Sequence, residues 1–242
     1  MRSIIKKVIR IAFTPFILGD YFAFKKKAAG KDLRFHLSLS DANPRIFDKT
    51  ATTRFDRHYI YHTAWAARKV AEIKPEFHTD ISSSLYFAGI VSAFVPVKFY
   101  DYRPAELGLS GLSAGHADLT ALPFGDNSVR SLSCMHTVEH VGLGRYGDAI
   151  DPEGDIAAIK ELKRVLAHGG SLLFVVPVGK PNIQFNAHRI YSYNMILKYF
   201  SGLELKEFSL IPEKKGGMVV NAGKELADKE EYGCGCFWFI KK

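Results

Sequence analysis

Two aspartates and a scattered set of histidines are the residues whose placement could do chemistry. Asp80 closes a short apolar run, Phe77–Ile81, and is followed by Ile-Ser-Ser-Ser, small residues that let a ligand approach the backbone. Asp101 closes the next such run, Val97–Tyr102, about twenty residues on, where a carboxylate can accept hydrogen bonds from ribose hydroxyls. Either acid also reads as an ordinary turn or helix-cap residue. His58 and His62 stand four apart on a helical pattern, a spacing that can hold a metal. No acidic partner motif accompanies them, so packing is the expected use and no metal is expected. Cys134, Cys234 and Cys236 are the three cysteines, too few and too odd in number for a disulfide framework, and they fit a reducing compartment. No nucleophile elbow, phosphate-cradling loop or zinc constellation is read in the sequence.

The elements that must position these residues alternate in type. Tyr59–Ile73 spaces Ala64, Ala67, Val70 and Ala71 as a helix that ends before Pro75. The run 77–81 then reads as a strand, Leu85–Phe94 as a helix or a loop leading into one, and 97–102 as a second strand. Further strands are expected at Val129–Met135, Ser171–Pro177, Leu203–Leu210 and Cys234–Ile240, with helices at Asp155–Leu166 and Tyr193–Phe200. The helix 155–166 is expected to stop at His168-Gly169-Gly170 as a glycine cap. The apolar 171–177 suits a strand buried on both faces of a parallel sheet. In 234–240, alternation puts Cys234, Cys236, Trp238 and Ile240 on one face and Phe237 and Phe239 on the other, so the cysteines read as structural. Such alternation of β and α units predicts a doubly wound α/β sheet, with ligands beyond the carboxyl ends of its strands.

The stretch from His116 to Pro177 is more specific. It runs His-Ala-Asp-Leu-Thr-Ala-Leu-Pro-Phe-Gly-Asp-Asn-Ser-Val, then Ser-Leu-Ser-Cys-Met-His-Thr-Val-Glu-His-Val, then Ile-Lys-Glu-Leu-Lys-Arg-Val-Leu-Ala-His-Gly-Gly and Ser-Leu-Leu-Phe-Val-Val-Pro. In order and spacing this resembles the class I S-adenosylmethionine-dependent methyltransferases. The resemblance implies a Rossmann-like, mostly parallel sheet with a C-terminal antiparallel strand, and S-adenosylmethionine as cofactor. By position, it implies that Asp118 takes the exocyclic amine of adenine and Leu119 covers the ring. Asp101 would hold the ribose, Asp80 with Ser82, Ser83 and Ser84 would face the methionine portion, and His136 with Thr137 would line the methyl-transfer side. Leu122 and Phe124 read equally as core. The family's glycine-rich first loop is absent here. Asp80-Ile-Ser-Ser-Ser-Leu-Tyr-Phe has no glycine before Gly89, and serine lacks glycine's access to positive φ. A scaffold that has lost the cofactor is therefore the alternative to an enzyme. Residues 56–240 also resemble a bacterial group of unassigned function related to methyltransferases, through stretches such as Phe55-Asp-Arg-His-Tyr, Glu139-His-Val-Gly-Leu-Gly-Arg-Tyr-Gly-Asp, Phe185-Asn-Ala-His-Arg-Ile-Tyr-Ser and Gly233-Cys-Gly-Cys-Phe. That resemblance implies a small-molecule or glycan acceptor and a place in surface-polysaccharide biosynthesis.

Two segments then open on the expected cofactor side, 141–148 after the fourth strand and 184–191 after the fifth. Methylating a hydroxyl needs a base for its proton, and histidine titrates in the useful range. His140 and His188 are the candidates, with turn-capping and structural hydrogen bonding as their plainer uses. Arg145, Tyr146, Asn186, Arg189 and Tyr191 are the candidate acceptor-binding residues, the arginines being able to grip a phosphate or carboxylate in two-pronged fashion.

Of the net charge of +8, seven units fall within residues 1–34. A nucleic-acid groove built on the folded domain is therefore not expected. Met1–Gly19 sets Ile4, Ile5, Val8, Ile11 and Ala12 against Arg2, Lys6 and Arg10 on a helical wheel. Residues 1–30 either lie peripherally in an anionic membrane interface or pack with their lysines solvated. Pro15 and the lack of a small-residue cleavage site argue against a signal peptide, and no apolar run approaches the roughly 18–20 residues of a membrane span. The expected organisation is a basic N-terminal segment and connector over 1–55, then a cytoplasmic domain over 56–242.

Overall fold

The computed structural model describes residues 18–31, 34–43, 45 and 47–242. The amphipathic pattern read over residues 1–17 lies outside these. The described residues fall into two compact units, one before Asp56 and one spanning Asp56–Lys242. In the first, residues 18–28 are helical, Phe22 and Phe24 are exposed on that helix, and Lys49 pairs with Asp20 at 2.6 Å. No helix among the described residues is long and apolar enough to cross a membrane.

The second unit begins with α1 (Arg57–Ile73), whose N-cap Asp56 accepts a hydrogen bond from the Tyr59 N–H at 3.1 Å. Its buried stripe is His62, Trp65, Ala66 and Val70. There follow β1 (His78–Ile81), α2 (Leu85–Val91), β2 (Val97–Asp101), β3 (Leu112–His116), β4 (Val129–Met135), α3 (Gly154–Val165) and β5 (Leu166–Val178). A short β6/β7 hairpin (Asn182–Gln184, His188–Ile190), α4 (Tyr193–Tyr199), β8 (Leu203–Ile211), α5 (Lys224–Ala227) and β9 (Gly233–Lys241) complete it. Seven strands form one sheet in the order β3-β2-β1-β4-β5-β9-β8. Neighbours from β3 to β5 are parallel, while β9 runs antiparallel to both β5 and β8.

The two-residue period of the strands divides the core into two layers. Along β5, Leu172, Phe174 and Val176 join Ile159, Leu162 and Val165 of α3 and Ile196 of α4 on one face. Leu173 and Val175 join Trp65 and Val70 of α1 and Phe87 and Val91 of α2 on the other. β9 follows the same rule: Phe237 and Phe239 enter the first layer, Cys234, Cys236 and Trp238 the second. Each fully buried leucine, isoleucine or phenylalanine contributes roughly 1.5–3 kcal/mol, whereas the polar residues buried on β1 and β4, His78, Thr79, Asp80, Ser131 and Ser133, need hydrogen-bond partners there.

Three features differ from the sequence reading. The glycine pair does not cap α3: Leu166 is already extended (φ −63, ψ 125), and the chain passes straight into β5. Gly169, at φ +72, and Gly170 instead form an irregularity where the β4–β5 register shifts between Val129 and Ser131. A side chain on Gly170 would meet the Ala167, Arg130 and Val129 carbonyls, so the close approach of two backbones is what requires glycine there. β3 buries only Leu112 among its five residues, too weak a pattern to read as a strand, and the hairpin's three-residue strands are too short to signal themselves.

Candidate functional site

At the carboxyl ends of the parallel strands lies a cavity of about 570 Å³, within the size range of small-molecule sites. The turn after β1 supplies Ser82, Ser83 and Ser84; the end of β2 supplies Asp101; the segment after β3 supplies Asp118 and Leu119; the end of β4 supplies Met135, His136 and Thr137. His140, Gly142, Tyr146, Asp148, Asp151 and Gly154 complete it from the loop before α3 and its first turn, and Tyr59 from α1.

The serine turn is held from beneath. Ser82 takes φ +55, the left-handed conformation that glycine adopts more freely, so the chain reaches a glycine-type turn without glycine. The Ser82 N–H donates to the Tyr100 carbonyl at 2.7 Å, and its own carbonyl accepts from Thr137 Oγ1 at 2.9 Å. Ser83 N–H donates to Asp80 Oδ2 at 3.1 Å, and Ser83 Oγ accepts from the Met135 N–H at 3.1 Å. Asp80 is thus a correction to its expected role. It is fully buried and holds the turn from below rather than facing a ligand. Its other oxygen accepts from Ser133 Oγ, and Ser133 in turn lies 2.8 Å from His78 Nε2, whose Nδ1 lies 2.8 Å from Ser131 Oγ. Because Ser133 donates to Asp80, it accepts from His78 Nε2–H, and Ser131 donates to Nδ1. Burial raises the Asp80 pKa to about 7 and lowers that of His78 to about 3.

The two remaining acids each hold one oxygen in a local turn. Asp101 Oδ1 accepts from the Arg103 N–H at 2.7 Å. Asp118 Oδ1 accepts from Thr120 N–H and Thr120 Oγ1 at 2.8 and 2.7 Å. Both acids line the cavity, as does Leu119. The Leu119 side chain also belongs to the core, as do Leu122 and, at its margin, Phe124.

Of the candidate bases, His140 lines the cavity and His188 does not. His140 Nδ1 lies 2.6 Å from the Ala187 carbonyl, an acceptor, so Nδ1 carries the proton and Nε2 holds the lone pair, with Arg145 Nη1 beside the ring at 3.1 Å from Nδ1 and 3.5 Å from Nε2. Burial lowers the His140 pKa, with Glu139 and the Ala187 carbonyl working against it and Arg145 with it, which keeps the ring neutral at physiological pH. His188 stands behind it, ring centroids 6.4 Å apart, and packs at 4.9 Å on Tyr232.

The acceptor-binding set divides. Tyr146 lines the cavity and stacks with the guanidinium of Arg103 at 4.7 Å. Arg145 donates to the Ala187 carbonyl at 2.9 Å and lies against Tyr146, outside the lining. Asn186 is exposed, follows a cis Phe185–Asn186 peptide bond, and does not line the cavity. Arg189 and Tyr191 are corrections. Arg189 is 5% exposed and donates to the Val141 and Pro152 carbonyls at 2.6 and 3.2 Å. Tyr191 is 1% exposed and donates to Asp155 Oδ2 at 2.9 Å. Both fasten the loop before α3 to the sheet, a burial that residue type alone could not disclose.

Sequence reading missed a group beside the cavity. Glu139 is buried and lies 2.9 Å from His136 Nδ1 and 3.8 Å from His140 Nε2. His136, from β4's end, stands with His58 of α1 and Cys234 of β9, three positions far apart in the chain that only the folded sheet brings together. His62 packs edge-on against His136.

Comparison with known proteins follows the same division between fold and activity. Residues 126–226, less than half the chain, match a family described as a Caenorhabditis protein of unknown function, DUF268. Comparison with curated proteins gives no match. Among solved structures, the YcgJ protein from Bacillus subtilis superposes with a TM-score of 0.51 at 13% identity, covering 74% of this chain and 99% of that one. The [4+2]-cyclase SpnF does so with a TM-score of 0.51 at 15% identity, covering 74% and 79%. A SAM-dependent methyltransferase from Thermotoga maritima gives 0.49 at 16% identity, covering 76% and 91%. By fold the chain is a class I methyltransferase-type α/β protein, with the mostly parallel sheet and antiparallel β9 of that architecture.

Proposed function

We propose that this protein is an S-adenosylmethionine-dependent methyltransferase whose cofactor occupies the 570 Å³ cavity and whose acceptor is a hydroxyl-bearing small molecule or glycan. One observation carries the reading. Asp101 and Asp118, from the ends of neighbouring strands, present carboxylates on the same cavity as the Ser82–Ser84 turn. The donor set fits the group. Carboxylate oxygens suit the ribose diol and the exocyclic amine, Leu119 offers an apolar edge, and the left-handed Ser82 supplies the tight turn that sequence alone made doubtful.

When bound, the cofactor supplies an electrophilic methyl group. The chain's own residues position what reacts with it. Asp101 and Asp118 orient the nucleoside, and the Ser82–Ser84 turn, fixed by Asp80 and Thr137, sets how closely the chain can be approached. His140 Nε2, left basic by the Nδ1–Ala187 hydrogen bond, takes the proton of the acceptor hydroxyl. Tyr146, Tyr59 and Arg103 give the cavity the aromatic and polar faces that suit a polyhydroxylated acceptor.

Calorimetric titration with S-adenosylmethionine and S-adenosylhomocysteine tests the reading. Micromolar binding is expected, weakened at least roughly tenfold in Asp101→Ala, about the 1.4 kcal/mol of one charged hydrogen bond. Failure of the wild-type chain to bind either compound would overturn it in favour of a scaffold.

A further inference from the structure

We infer that His58, His136 and Cys234 form a site for a single thiolate-binding divalent cation of the zinc class, at the wall of the cavity. One ligand atom from each of the three lies within 4.8 Å of the others. His136 Nε2 and Cys234 Sγ are 3.4 Å apart. Ligands at zinc distances on a tetrahedron stand about 3.3–3.6 Å from one another, so two of the three are already at spacing. The third needs a modest swing of a half-buried side chain at the start of α1.

The surroundings are those of a metal site rather than of a chance thiol–imidazole contact. His136 Nδ1 is engaged by the Glu139 carboxylate at 2.9 Å, the arrangement that fixes the ring and directs Nε2 at an ion. Glu139 is 1% exposed and its Oε2 has no hydrogen-bond partner. Its ion-pair partners among the described residues are the histidines 136 and 140, with no lysine or arginine. A buried carboxylate in that position is compatible with a cation held by the same histidine. A dication with one thiolate and one carboxylate around it makes the cluster neutral. On binding, Cys234 forms the metal–sulfur bond and its thiol proton leaves to solvent. His58 and His136 are near-parallel, ring centroids 5.6 Å apart, and Tyr232 backs His58 at 5.1 Å, which limits where the rings can go. Imidazole and thiolate together favour zinc-class ions over magnesium or calcium. Three protein ligands leave a fourth position for water or an acceptor atom, and His136 is shared with the cavity lining. The site stands whether or not the cavity takes S-adenosylmethionine.

The test is titration of the chelator-stripped full chain with cobalt(II) as the optical probe. One saturable equivalent is expected, with the visible bands of a tetrahedral site and a sulfur-to-cobalt charge-transfer band displaced by zinc. Cys234→Ser should abolish the charge-transfer band, and Cys236→Ser should keep it. His58→Asn, on a half-buried side chain, should weaken binding by at least roughly tenfold with its circular dichroism spectrum unchanged, and it decides the matter if Cys234→Ser does not fold. No saturable equivalent in the wild-type chain, or cobalt binding unchanged in His58→Asn, would overturn the assignment.

Discussion

At the scale of single residues, the proposed base sets a definite pH response. Burial lowers the His140 pKa from its ordinary 6.5, and a base must be unprotonated to act. Methyl-transfer activity is therefore expected to be level across neutral pH and to fall only on the acid side of 6.5. His140→Gln should reduce kcat by about 10²–10⁴-fold while leaving S-adenosylhomocysteine affinity unchanged, and a pH–rate profile beside the titration separates the two effects. Much of the cavity was legible at this scale because an acid at a strand end is a positional signal. Asp101 and Asp118 follow from that rule and from the motif around His116. Arg189 and Tyr191 were misplaced because their types suit both an open pocket and a buried fastening, and only their burial decides. The His58–His136–Cys234 group was illegible for another reason: no spacing links residues carried by a helix and two strands remote in sequence.

At the scale of elements, the loop before α3 depends on close backbone approach. Gly142 has φ +79, and a Cβ there would fall on the Asp151 carbonyl oxygen. Gly142→Ala should cost about 2–4 kcal/mol, combining overlap with an unfavourable φ, and should weaken ligand binding because Gly142, Asp151 and Gly154 share the cavity wall. Denaturant unfolding beside calorimetry checks both. The buried chain Ser131–His78–Ser133–Asp80 gives a second expectation. Folded Asp80 holds its proton up to about pH 7, against 3.8 as its ordinary value. The folded state therefore binds more protons than the unfolded one between those values, and stability falls as pH rises through that window, by up to on the order of 4 kcal/mol. Asp80→Asn removes this dependence. The gap between variant and wild-type Tm should widen in the variant's favour from pH 4 to 7 and then level off. A constant gap would show that Asp80 is ionised throughout. The strands and helices themselves were legible where apolar periodicity was strong. β3, with one buried residue in five, was not, because an edge strand can be held by its ladder with little burial.

For the whole molecule, the alternation of elements gives a doubly wound, mostly parallel sheet, but neither its strand order nor the place of β9. Nothing in Cys-Gly-Cys-Phe-Trp-Phe-Ile says that it inserts between β5 and β8 rather than adding at an edge. That insertion bears on how the chain is made. During synthesis β8 emerges ahead of its strand partner among the described residues, Gly233–Lys241, which follows it out of the ribosome. Until then β5 also presents an unpaired border that is apolar from Leu172 to Val178, a surface of the kind that recruits chaperones or drives aggregation. Ribosome-arrested chains in which residue 230 has just cleared the exit tunnel should therefore be readily cut by protease across 203–211, whereas chains extended far enough to clear residue 241 should be protected. The second unit thus closes late and all at once, and its vulnerable interval is the time taken to translate the thirty or so residues between β8 and the end of β9.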